Sequence, residues 1–142
     1  MYHIIYHSVA VGQPTTDDLR FLLRQSRRNN AGLGITGLLL YGNGRYLQVL
    51  EGLQMPLEHL FSVIKQDCRH SRVAALSAGP IQKRVFATWS MGFQKLSDEN
   101  FVRLTGYVSP CRFRFLEAHP PEMDEGLRIL LGSFVNNEGL PI

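Results

Sequence analysis

An α+β domain, with one mixed sheet and two helices on a single face, is the fold class this sequence predicts. Three observations carry it. Short runs rich in β-branched and aromatic residues recur between turn signals, and two stretches set leucines at helical spacing. The triplet Gly42-Asn43-Gly44 between two apolar runs marks a hairpin.

The elements follow in order. Tyr2 to Ser8 reads as the first strand, broken by Gly12, Gln13 and Pro14. Thr15 or Thr16 then caps a helix whose first turn carries Asp17 and Asp18, where negative charge meets the positive end of the dipole. Leu19, Leu22, Leu23 and Ser26 share one face of it, and Asn29-Asn30 is read as its close. Ile35 to Tyr41 is a strongly apolar second strand, and Arg45 to Glu51 returns antiparallel to it. A second helix is expected from about Pro56 to Asp67, with Leu57, Leu60, Phe61 and Ile64 inward and Asp67-Cys68-Arg69-His70 at its end. Val73 to Ala78 and Ala87 to Phe93 complete the strands.

The resulting order, βαββαββ, is close to the ferredoxin-like arrangement. A right-handed first crossover brings the first and third strands to the middle of the sheet, so Tyr6 and Gln48 face each other beneath the helices. Beyond Ser97 the pattern loosens. Phe101 to Tyr107 and Pro121 to Val135 read as helices of a C-terminal extension covering a sheet face or making contacts.

Bulk properties narrow the function classes. A chain of 142 residues with 44% hydrophobic and 19% charged residues suits one globular core. The net charge of +3 is mild, and although twelve of the fifteen basic residues are arginine, no long basic run argues for nucleic acid. Cys68 and Cys111 stand far apart in no metal-ligand spacing, which suits free thiols in a reducing cytoplasm. Neither a signal peptide nor an apolar run of the ~20 residues a membrane span needs is present. A soluble, cytoplasmic protein is the expectation.

Gln48 is the informative anomaly, a polar residue among the apolar neighbours of Tyr46-Leu47-Gln48-Val49-Leu50. A buried amide left unpaired costs about 1–3 kcal/mol, so something polar must sit over this strand. Tyr6 in the first strand and Trp89-Ser90-Met91 in the last supply a phenol, an indole and a sulfur. Together they suit a flat, hydrogen-bonding, redox-active ligand. Asn29, Asn30, Arg69 and His70 could converge at the groove between the helices, with Leu23 and Ile64 sandwiching the ligand's faces. No nucleophile elbow, paired carboxylates, metal-binding His pair or phosphate-cradling loop is present, which argues against an enzyme; Gly32-Leu33-Gly34 leads into a strand and is no dinucleotide fingerprint.

Tyr6-His7-Ser8, Ser26 to Ala31, Gly34 to Tyr41, Tyr46 to Gly52, Asp67-Cys68-Arg69-His70 and Trp89 to Phe93 follow one another as they do in BLUF domains, blue-light sensors using FAD. Residues 1–95 resemble that photosensory domain, leaving 96–142 as the extension for output or oligomer contacts, as in the short single-domain members. The resemblance implies non-covalent FAD, with FMN or riboflavin as alternatives. It makes Tyr6 the photoactive tyrosine, Gln48 the switching glutamine and Trp89 and Met91 the pair near it. Ser26, Asn29, Asn30, Ile64, Asp67, Arg69 and His70 join Tyr6 and Gln48 as the flavin-binding set. Cys68 departs from the family, standing where a proline is common.

The implied reaction is reversible proton-coupled electron transfer from Tyr6, followed by rearrangement of the Gln48 hydrogen bonds and a red-shifted flavin. The implied partners are a separate downstream signalling protein and further copies of this chain in a homo-oligomer. Two other readings are weaker. A flavin enzyme lacks a substrate-positioning site, and an RNA-binding sheet lacks its aromatic strand motif.

Overall fold

The computed structural model describes residues 1–87 and 90–99. Trp89, Cys111, His119 and the helices expected over 101–107 and 121–135 lie outside the described residues. The elements are β1 (Tyr2–Ala10), α1 (Thr16–Leu33), β2 (Thr36–Gly42), β3 (Arg45–Gly52), α2 (Gln54–Gln66), β4 (His70–Pro80) and β5 (Gly92–Lys95). They build a five-stranded mixed sheet of order β4-β1-β3-β2-β5. All pairs are antiparallel except β2 with β5. The predicted βαββαββ order and the inner placement of β1 and β3 are borne out.

Local chemistry sets the boundaries. Thr15 caps α1 in a reciprocal box with Asp18, the Thr15 side chain accepting from the Asp18 N–H at 3.1 Å and the Asp18 carboxylate from the Thr15 N–H at 2.9 Å. Asn29 and Asn30 do not close this helix. It continues to Leu33 and ends at Gly34, whose left-handed φ of 67° suits glycine. In α2, Pro56 lies inside the first turn rather than at its start, where the missing N–H has no intrahelical acceptor to lose. Asn43 and Gly44, at φ 51° and 68°, form the two-residue turn that joins β2 to β3 with the twist of a type I′ hairpin.

The final strand is shorter than expected and begins at Gly92. The reason is visible one residue earlier. The carbonyl of Met91 accepts from the Arg27 Nε–H at 2.9 Å, and pairing with β2 starts only at Gly92 opposite Leu38.

Both sheet faces are buried near the middle. Toward the helices, Ile4, Tyr6, Leu39, Tyr46 and Leu50 pack with Leu19, Leu22 and Leu23 of α1 and Leu57 of α2. On the other face Ile5, Leu38, Leu40, Leu47 and Val49 are all buried. Glu51 belongs to that second face and is fully buried. Its carboxylate accepts from the backbone N–H groups of Val85 and Phe86 at 2.6 and 2.8 Å, pinning the connection between β4 and β5. Burial raises the Glu51 pKa, opposed by those two N–H groups.

Close strand approach depends on Gly37. A Cβ there would run into the Val49 carbonyl on the neighbouring strand. Gly37→Ala is therefore expected to destabilise the domain by about 1–3 kcal/mol, the usual cost of forcing atoms into a packed core. Urea unfolding would register this as a lower midpoint, and an unchanged midpoint would show that the strands can separate freely.

Candidate functional site

Two helical stripes and the sheet beneath them line a cavity of about 130 Å³. Leu22, Gln25, Ser26, Asn29 and Asn30 recur along α1 at intervals of three and four, so they share one face. Leu60, Val63, Ile64 and Asp67 repeat that spacing on and just beyond α2. Tyr6, Leu39 and Gln48, from β1, β2 and β3, make the floor, and Arg69 and His70 close one side.

Every flavin-binding candidate from the sequence is thus brought to one place. Leu23 is the exception among the expected neighbours, since it is sealed in the core while Leu22 lines the cavity. Leu22, Gln25, Leu39, Leu60 and Val63 are lining residues that sequence reasoning missed. For the four on the helices the signal was the three-and-four spacing continued from Ser26 and Ile64, and for Leu39 it was the strand register opposite Gln48.

Strand register creates the floor. Tyr6 and Gln48 are directly opposite each other on β1 and β3, and Leu39 is opposite Gln48 on β2. A register irregularity between β1 and β4 falls at Ile5/Tyr6, beside the phenol. The Tyr6 hydroxyl donates to Gln48 Oε1. The other end of that amide, Nε2, donates to Met91 Sδ at 3.4 Å. Gln48 is 4% exposed, so the demand its position made on the sequence is met by a phenol on one side and a thioether on the other. Burial raises the Tyr6 pKa far above that of a free phenol, reinforced by Tyr46 and Asp67.

The rim is polar and organised. Arg69 forks onto Asp67, Nη2 to Oδ2 at 2.6 Å and Nε to Oδ1 at 3.0 Å, and its Nη1 donates to Gln25 Oε1 at 3.0 Å. The Arg69 hydrogen bond holds the Asp67 carboxyl below its usual range, and Asp67 raises Arg69 in return. His70 shares a 2.8 Å hydrogen bond with Ser8 through Nδ1, and burial lowers its pKa, favouring the neutral ring. Tyr6 also packs on Phe61, ring centroids 5.5 Å apart.

One group stands out by what it lacks. Asn30 lines the cavity, is 1% exposed, and its Nδ2 has no hydrogen-bond partner. Native interiors rarely leave such a donor unpaired. A flat ring with carbonyl acceptors at its edge would satisfy it. The donor set therefore fits a flavin.

Solved structures of the same shape are known. The photo-activated state of BlsA matches with a TM-score of 0.73 at 25% identity, covering 99% of both chains. The dark-state structure of BlrB matches at a TM-score of 0.67 and 30% identity, covering 93% of this chain and 95% of that one. These likenesses are to light-responsive proteins and define a photosensory module. The family model described as BLUF, sensors of blue-light using FAD, matches residues 1–92. The chain belongs to the BLUF family.

Among curated proteins, subunit beta of the photoactivated adenylate cyclase of Euglena longa is 34% identical over 131 residues. That match takes in 81% of this chain and 15% of the cyclase subunit. Subunit alpha from Euglena gracilis is 39% identical over 62 residues, 44% of this chain and 6% of that protein. This chain thus spans only a small part of those relatives. Their names correct one expectation. The resemblance implied a homo-oligomer, whereas these relatives are named as alpha and beta subunits, which are unlike chains.

The matched family is one of sensors. Among the described residues no group of His, Cys, Asp and Glu is placed to hold a metal, and no helix is long and apolar enough to cross a membrane.

Proposed function

We propose that this chain is a blue-light photoreceptor that holds FAD non-covalently between α1 and α2 and signals through the hydrogen bonds of Gln48. The single observation that carries this reading is the continuous chain Tyr6 Oη–Gln48–Met91 Sδ along the cavity floor. Asn30, with its unpaired Nδ2, is assigned to the ring edge, and Ser26, Asn29, Ile64, Asp67, Arg69 and His70 to its surroundings. FAD is favoured by the family's description, although a solved relative from Klebsiella pneumoniae, BlrP1, carries FMN.

When bound, the flavin supplies a blue-light-absorbing, one-electron oxidant. Tyr6 would be the source of the electron that oxidant takes up, with its phenolic proton directed along the hydrogen bond to Gln48 Oε1. Burial keeps the phenol protonated in the dark, so its proton stands ready in the hydrogen bond to Gln48 Oε1. The Gln48 amide has an acceptor at one end and a two-proton donor at the other. Rotation of the amide would then turn Nε2 toward Tyr6 and away from Met91 Sδ, whereas tautomerisation would exchange donor and acceptor character with both ends in place. With electron and proton back on Tyr6, the Gln48 amide alone would remain rearranged. Nothing is consumed, which suits a sensor. Residues 1–95 form the sensing unit in this proposal and 96–142 an output extension, with an unlike chain as partner. A cytoplasmic setting agrees with the exposed free thiol of Cys68.

Purified protein is expected to be yellow, to shift its flavin absorption to the red under blue light, and to relax in darkness. Chromatography of the released pigment would separate FAD from FMN and riboflavin. Protein that stays colourless after incubation with each flavin would overturn the proposal.

A further inference from the structure

Met91 is held at two points. Its sulfur receives the Gln48 Nε2–H at 3.4 Å, and its backbone carbonyl receives the Arg27 Nε–H at 2.9 Å. The residue is 1% exposed and immediately precedes the first β5–β2 pair, Gly92 with Leu38. On one side, then, the backbone at 91 is fixed by the sheet, and on the other by a guanidinium from α1. Methionine has an unbranched, freely rotating side chain that does not hold its own sulfur in place. A fixed position for Sδ depends on a fixed main chain beneath it.

Arg27 itself stands apart from the cavity. Its neighbours Ser26, Asn29 and Asn30 line it and Arg27 does not. Among the described residues it therefore reaches the photoactive chain through Met91.

We propose that Arg27 is a positioning residue for the light reaction, its Nε–H holding the Met91 main chain so that the thioether stays in register with the Gln48 amide. The assignment rests on rotation of the Gln48 amide, as proposed above. In the dark arrangement Nε2 lies on Sδ, and in the light-formed one it has left. Holding Met91 favours the dark arrangement, so releasing it slows the return. The same bond makes α1 the first element to feel a displacement of Met91.

The test compares Arg27→Met, Arg27→Gln and Arg27→Lys in the flavin-loaded full chain, following flavin affinity, size of the red shift and rate of dark recovery. Methionine keeps the length and loses the donor. Glutamine restores a nitrogen donor the same number of bonds from Cα without the charge, and lysine keeps the charge but not that donor. Flavin affinity should match that of the unmodified protein in all three. Recovery in Arg27→Met should slow about tenfold, the scale of one charge-assisted hydrogen bond, and Arg27→Gln should return close to the original rate. Slowing of less than about threefold in Arg27→Met overturns the proposal. So does rescue by lysine but not glutamine, which would assign the effect to charge. A second measurement needs no variant: the Arg27 Nε–H resonance of the unmodified protein should shift on illumination, and an unmoved signal overturns the proposal. Absence of any red-shifted state in the unmodified protein would overturn both this inference and the function it rests on. A normal photocycle together with an indifferent Arg27→Met removes this inference alone.

Discussion

Tyr6→Phe is expected to leave flavin bound and to abolish the red-shifted state. The ring contributes packing, lying on Phe61 and edge-on to His70, and phenylalanine preserves both contacts. What goes is the hydroxyl that donates to Gln48 Oε1, and with it a transferable electron and proton. Phenylalanine is far harder to oxidise and has no acidic proton, so the loss should be complete rather than partial. A secondary effect should accompany it. Gln48 Oε1 is left without its donor in a buried site, which costs about 1–2 kcal/mol. Difference spectra before and after blue light, with flavin content measured on the same sample, decide the matter. A red shift of normal size in Tyr6→Phe would remove Tyr6 from the mechanism.

The pairing of Tyr6 with Gln48 was legible in the sequence because it follows from few, strong constraints. A hairpin turn at Asn43-Gly44 fixes β3 against β2, a helical crossover sets β1 beside β3, and alternation then decides which side chains share a face. Asn30 was misread in its local role. Asparagine often ends a helix, but here the left-handed residue is Gly34, and Asn30 sits a full turn earlier with its side chain turned inward. The competing glycine was in plain view, and the extra turn could have been read from it. The partners of Arg27 and Glu51 had no such signal. Each binds main-chain groups of residues distant in sequence, a carbonyl at 91 and N–H groups at 85 and 86, and every residue offers those. Recognition of that kind depends on tertiary placement and leaves no mark in side-chain pattern. The shortened β5 was hidden for the same reason, because its start depends on where the Met91 carbonyl is already engaged.

Asn30→Leu is expected to move affinity and stability in opposite directions. Asn30 Nδ2 is buried with no partner, so the protein without its flavin carries the full desolvation cost of that donor. Leucine is close to asparagine in shape and has no such cost, which should stabilise the flavin-free protein by about 1–2 kcal/mol. The flavin-loaded protein should respond in the other sense. A ring edge that presents carbonyl acceptors would meet a methyl group where it had met a donor, and its own desolvated acceptors would be left unpaired. Sites built to hydrogen-bond a polar edge discriminate strongly when one partner is removed, so affinity should fall by about 100-fold. Thermal melts of the stripped and reloaded protein would read both terms together. Asn30→Leu should melt higher than the original when stripped, and lower than the original once flavin is added at a concentration that saturates the original but not the variant. A rise in both states would show that Asn30 contributes nothing to the ring, and a fall in both would show that its amide is satisfied without flavin. Opposed shifts would instead identify Asn30 as a residue kept for binding at the expense of the empty fold, which is how functional sites depart from the packing rules the rest of this core obeys.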